Sequence, residues 1–180
     1  MKSKLFKSLF FAGLLMFTCS CGGGDSQSGE NGSNDTPCTE QELADLSKTL
    51  GVSVTNDDDT KLFREVATWK DVPFKSAGAD KNGADCSGFV DALYLTVYGV
   101  NLPRQTSKIY EQASSINLDN IHSGDLVFFR TDGKLNQTPN YLGVFLKEKK
   151  FAVMSSKGFR IESLESSYYK KNFVCAGRIK

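Results

Sequence analysis

The chain predicts an α+β domain, because apolar residues recur at helical spacing as far as about residue 113 and then, from Gly124, fall into short runs of strand type. A further observation sets its extent: this patterning begins only at Thr39. Residues 39–180 are long enough for one domain with a sizeable core.

Two segments precede it. Residues 1–20 carry Lys2, Lys4 and Lys7 ahead of the apolar run Leu9 to Phe17, followed by Thr18-Cys19-Ser20-Cys21. That order is the order of an export signal, too short and wrongly flanked for a retained membrane span. The small residue Ser20 before a cysteine marks a lipoprotein cleavage site, with Cys21 as the acylated first mature residue. Losing three lysines turns the net charge from +1 to −2. A near-neutral chain with interspersed signs gives no reason to expect nucleic acid as a partner. Residues 21–38 contain no aromatic or aliphatic side chain between Gly22 and Pro37 and read as a flexible tether with a reach of roughly 20 Å.

The helices come first. Thr39 and Glu42 stand in capping-box relation, and Leu43, Leu46 and Leu50 recur helically until Gly51. Asp57-Asp58-Asp59 starts a second helix with Leu62, Val66 and Trp69 on one stripe, closed by Pro73. The Gly-, Lys- and Ala-rich stretch from Pro73 to Asp85 reads as a loop. A third helix starts at Asp85 or Cys86 and runs to Gly99, burying Phe89, Leu93 and Val97; a short fourth covers Thr106 to Ala113. The third helix puts the Cys86 sulfur at the positive end of a helix dipole, an arrangement that favours thiolate.

Strands follow at Leu126–Phe129, Tyr141–Leu146, Phe151–Met154, Phe159–Ile161 and Phe173–Ile179, separated by turn-rich segments. About five antiparallel strands are expected, with the helices packed on them. One histidine, His122, and scattered cysteines supply no metal site, and no cofactor is called for. With Cys21 acylated, Cys38 and Cys175 are candidates for a disulfide, which leaves Cys86 as the odd thiol.

Taken together, these pieces resemble the NlpC family of papain-like cell-wall cysteine peptidases, over about Asp59 to Ile179. Asp85-Cys86-Ser87-Gly88-Phe89-Val90 matches the family's nucleophile turn. Leu102-Pro103-Arg104 matches its Leu-Pro-Arg, and Gly124-Asp125-Leu126-Val127-Phe128-Phe129 its first long strand. Trp69 to Phe74 resembles the approach loop, Asn140 to Leu146 the strand that in active members begins His-Val-Gly, and Phe151 to Gly158 the strand with Phe-x-His-Ala-Ser. The resemblance implies a papain-like domain whose enzymes cut peptidoglycan stem peptides, usually between D-Glu and a diamino acid. It implies Cys86 at the nucleophile position, with Phe74, Asp85, Ser87 and Arg104 beside the substrate.

The departures fall on the chemistry. Tyr141 stands at the base histidine position, Val153 at that of the third polar residue, and Phe74 at that of the approach-loop tyrosine. A tyrosine titrates near ~10 and is a poor proton acceptor at neutral pH. His122 precedes the Gly124 strand, so a hairpin pairing residue 141 with Phe129 leaves it seven residues back, about 23 Å away at ~3.3 Å per residue. Two readings of Cys86 stand side by side: a ligand-facing thiol, or a small buried cysteine kept behind a helix cap. The chain accordingly reads as a lipid-anchored protein of the bacterial envelope, facing the periplasm or the surface. Its domain binds stem peptides or an envelope protein without cleaving them, or alternatively is a weak or unconventional cysteine endopeptidase or amidase at Cys86.

Overall fold

The computed structural model describes residues 36–134 and 138–179. The expected signal segment, Cys21 and the tether as far as residue 35 lie outside the described residues. The packed region takes in Cys38, which is 6% exposed. Its backbone N–H and C=O are both bonded to the Asn56 side chain, at 2.8 and 3.1 Å.

Helix α1 (Glu40–Leu50) is capped by Thr39, whose hydroxyl accepts the Glu42 N–H at 3.2 Å. The Glu42 carboxylate interacts back with the Thr39 backbone N–H, as a capping box requires, and also takes Arg64, at 2.7 and 3.1 Å, which ties α1 to α2 (Thr60–Ala67). Gly51, at φ 66°, ends α1 in the left-handed conformation that a glycine adopts without strain. Asp59 caps α2, and Trp69 beyond it is buried at 1% exposure, its indole donating to Glu65 with the Lys81 ammonium 3.9 Å above the ring.

The stretch before Asp85 is more ordered than a loop. It contains the small hairpin β1 (Ala79–Asp80) and β2 (Gly83–Ala84), and Phe74 bridges to Ala84. Helix α3 (Cys86–Tyr98) follows at once, capped by Asp85, whose Oδ1 accepts the Gly88 N–H at 2.7 Å. It buries Phe89, Val90, Leu93 and Val97, with Phe89 edge-on to both Trp69 and Phe159. Helix α4 (Thr106–Gln112) completes the helical layer.

The expected antiparallel sheet has six strands, one beyond the five read from the sequence. The sheet contains β3 (Ser114–Ile116), β4 (Leu126–Phe129), β5 (Tyr141–Phe145), β6 (Lys150–Ser155), β7 (Gly158–Ser163) and β8 (Phe173–Arg178). They run in the order β3-β8-β4-β5-β6-β7, every neighbouring pair antiparallel. The added strand, β3, is three residues long and sits at the edge, so only its pairing with β8 reveals it. Alternation divides the sheet into two apolar faces. Leu126, Phe128, Leu142, Val144, Ala152 and Met154 pack under the helices. Val127, Phe129, Phe145, Phe151 and Val153 face the other way, beneath Tyr169 of the short helix α5 (Ser167–Asn172). Burial on both faces explains why β4 is an unbroken apolar run, Leu-Val-Phe-Phe.

Candidate active site

Three elements bring Cys86 to the sheet. The backbone of α3 comes so close to the β1 loop that a Cβ on Gly88 would lie 2.0 Å from the Gly78 carbonyl oxygen. Asp85 then clamps the turn: besides capping α3 it accepts the Ala77 N–H at 2.9 Å and the Ser87 hydroxyl at 3.1 Å. Arg104 closes the clamp from the far side, donating to the Gly78 carbonyl at 2.9 Å and lying 3.3 Å from Asp85. Ser87 in turn donates to the Arg104 carbonyl at 2.8 Å. Asp85, Ser87 and Arg104 therefore hold the turn at Cys86 in shape, and Phe74 is 44% exposed.

The Cys86 sulfur meets β5. The β5–β6 pairing runs through Phe145↔Phe151 and Val144↔Ala152. At Leu142, the next residue on that edge, the partner is Cys86: the thiol donates to the Leu142 carbonyl at 2.9 Å and accepts its N–H at 3.2 Å. Burial of the sulfur pushes the thiol up to about 12, against the helping Leu142 N–H, and the charge of Asp85 pushes the same way. The shift runs opposite to the thiolate that the start of the helix favours and agrees with the alternative reading of a buried cysteine behind a helix cap.

Tyr141 lies opposite Phe129, the pairing its strand position calls for. Its hydroxyl donates to the Met154 carbonyl at 3.2 Å, and burial, followed by the neighbouring Tyr169, raises its titration well above the ordinary tyrosine range. It is a committed donor. Among the described residues no carboxylate, imidazole or amine lies within hydrogen-bond distance of the Cys86 sulfur. His122 sits at the other end of β5, where Gly124 N–H bonds to Phe145 O, and its Nδ1 is 3.0 Å from Arg178. Val153 is fully buried on the sheet's second face with Phe129 and Phe151, outside the cleft.

Cys38, Cys86 and Cys175 are all free thiols, so the expected Cys38–Cys175 bond is absent from this structure. Cys38 lies by Asn56, Glu42 and Arg64 at the helical end, whereas Cys175 is on β8 opposite Phe128. Burial raises both thiols above their ordinary value.

In front of Cys86 opens a cleft of about 1180 Å³. Phe74, Asp85, Ser87, Arg104 and Tyr141 line it, as expected of a site around the nucleophile turn. So do Arg130, Asn140, Lys157, Arg160, Tyr168 and Tyr169, which sequence reasoning missed. The tyrosines come from α5, too short for a periodic signal. Arg160 carried one usable sign: it interrupts the apolar run between Phe159 and Ile161 on β7.

The chain has relatives among known proteins. The model of the NlpC/P60 family matches residues 71–178. The murein DD-endopeptidase and LD-carboxypeptidase MepS of Escherichia coli K12 is 33% identical over 121 residues, covering 67% of this chain and 62% of that protein. The probable endopeptidase NlpC of the same strain is 34% identical over 119 residues, 66% of this chain and 76% of its own length. Among solved structures, the NlpC/p60 domain of the peptidoglycan hydrolase SagA superposes with a TM-score of 0.57 at 19% identity, covering 68% of this chain and 99% of that one. RipD of Mycobacterium tuberculosis, described as a non-catalytic NlpC/p60 domain protein adapted to peptidoglycan binding, gives 0.52 at 17%, covering 66% and 95%. Helices stacked on a six-stranded antiparallel sheet, a cysteine at the start of the central helix and a sequence match over more than half its length together place the chain in the NlpC/P60 family.

Proposed function

We propose that the domain binds peptidoglycan stem peptides in the Cys86 cleft without cleaving them, in an envelope protein anchored through an acylated Cys21 and a tether that ends before the packed residues Thr36 to Cys38. The observation that supports this most is the state of the thiol. Its proton is held on the Leu142 carbonyl at 2.9 Å, and no side-chain base stands beside it among the described residues. Amide cleavage needs a base to activate the nucleophile and an acid to protonate the leaving amine, and loss of such help typically costs 10² to 10⁴-fold. On this reading Tyr141 stands where active members hold their histidine. The open cleft, by contrast, offers about 1180 Å³ to a ligand. RipD is described as a non-catalytic NlpC/p60 domain protein adapted to peptidoglycan binding.

A second reading, a slow cysteine endopeptidase, is favoured by relatives named endopeptidases at 33 and 34% identity. One experiment separates the two. Purified protein is incubated with muropeptides, products are followed by mass spectrometry and binding by calorimetry, with Cys86→Ala in parallel. Binding at micromolar to millimolar affinity, with no product that depends on Cys86, is the expected result. Turnover abolished by Cys86→Ala would replace it with the peptidase.

A further inference from the structure

Four cations line the cleft: Arg104, Arg130, Lys157 and Arg160. Arg104 is engaged by Asp85, and Arg130 by Asp132 at 2.7 Å. Lys157 and Arg160 have no carboxylate partner among the described residues, and the Arg160 guanidinium makes only a 3.3 Å bond to the carbonyl of its neighbour Phe159. Both side chains are exposed. Glu162 lines the same cleft two residues further along β7, on the same side of the strand, but lies beyond ion-pair distance of both. Two of the cleft's charged groups are thus cations held open to solvent, each of which would gain by meeting a carboxylate.

Their position is informative. Arg160 is opposite Val153 in the β6–β7 ladder, next to the Met154↔Phe159 pair. Met154 is also the residue whose carbonyl takes the Tyr141 hydroxyl, so Arg160 belongs to the same end of the cleft as Tyr141 and the Cys86 sulfur. Exposed Tyr168 and half-buried Tyr141 line the same cleft. A planar guanidinium beside aromatic surface suits a carboxylate carried on a short peptide: the fork takes both oxygens while the rings cover the apolar part.

We propose that Arg160, assisted by Lys157, recognises a carboxylate of the bound peptide, so that the cleft selects acidic peptides over their amidated forms. This deepens the stem-peptide reading and rests on it. A charge-assisted bidentate contact in a partly desolvated cleft predicts about a tenfold or larger difference in Kd between a peptide and its carboxamide.

The test compares a muropeptide stem peptide with the same peptide bearing carboxamides in place of its carboxylates, by calorimetry at fixed salt. A plain L-peptide carrying the same carboxylate, with its amide, forms a second pair. Wild type is expected to bind the acid stem peptide about tenfold tighter, Arg160→Gln to bind both forms with the affinity wild type has for the amide, and Arg160→Lys to fall between. Lys157→Gln should lower the preference by a smaller factor. Thermal melts check that the variants fold, and the wild-type acid/amide ratio stands without any variant. Equal binding of both stem peptides by wild type overturns carboxylate recognition and leaves stem-peptide binding intact. If neither stem peptide binds, an Arg160-dependent preference within the L-peptide pair keeps carboxylate recognition and overturns the stem-peptide reading. No binding of any peptide overturns both.

Discussion

At Cys86 two local fields oppose each other. The start of α3 would lower a thiol's pKa, whereas burial against β5 and the neighbouring Asp85 carboxylate raise it to about 12. Burial wins because the helix end is already spoken for: Asp85 takes the Gly88 N–H and brings a negative charge to the same place. The sulfur is left with the Leu142 amide and carbonyl. Reaction with iodoacetamide should therefore be slow. Near pH 8 the folded protein is expected to alkylate Cys86 at least about 100-fold more slowly than an unstructured cysteine, with the rate still climbing well above pH 9. The sign for stability follows. A thiol whose folded pKa is raised contributes stability that is complete below its unfolded value near ~9 and is lost as pH rises toward 12. Peptide mass mapping after timed alkylation checks the rate, and modification as fast as in denaturant would show an activated thiolate instead.

Among the elements, those with chemical punctuation were legible in the sequence. Thr39, Asp59 and Asp85 each cap the helix their position announces, and Gly51 and Gly99 end helices at positive φ. Strands β4 to β8 follow from the runs Leu126–Phe129 through Phe173 onward. Missed were β3, the β1–β2 hairpin and α5, all too short to show a period and held by what they pack against. Tyr169 illustrates the loss: its ring meets Phe129 and Phe151, at 5.1 and 4.9 Å, from a segment with no helical pattern. The two glycines of α3 and its end make separable predictions. Gly99→Ala meets nothing within 4 Å and costs only left-handed strain, about 1 kcal/mol. Gly88→Ala drives a methyl to 2.0 Å from the Gly78 carbonyl and 2.7 Å from the Arg104 guanidinium. That backbone must move, at a cost of about 2 kcal/mol or more, and the clamp around Cys86 loosens with it. Urea unfolding of the two variants gives the comparison; equal losses would mean that the close approach of α3 to the hairpin is not what fixes the turn.

Over the whole molecule, stability and the cleft draw on different ends of the fold. The site's location was readable from the register that brings Tyr141 to Phe129 and from the motif at Cys86, but the far wall of the cleft, built by α5 and β7, was not. The helical end shows the opposite division, since none of residues 36–50 lines the cleft. There Arg64 bonds the Thr36 carbonyl at 2.9 Å, Cys38 is buried with both backbone groups on Asn56, and Thr39 caps α1. A chain started at Glu40 rather than at Thr36 loses all of these together. The cap alone is worth about 1 kcal/mol, and stripping Asn56 of its partners while emptying the Cys38 site brings the total to about 3 kcal/mol. For a domain of this size that lowers Tm by about 10 °C relative to the chain started at Thr36. Peptide affinity measured well below either Tm should be the same for both chains, because the residues removed touch neither the clamp around Cys86 nor the cationic wall. Scanning calorimetry and titration of the two chains side by side provide the check: a matched loss of affinity would show that α1 supports the cleft as well as the core.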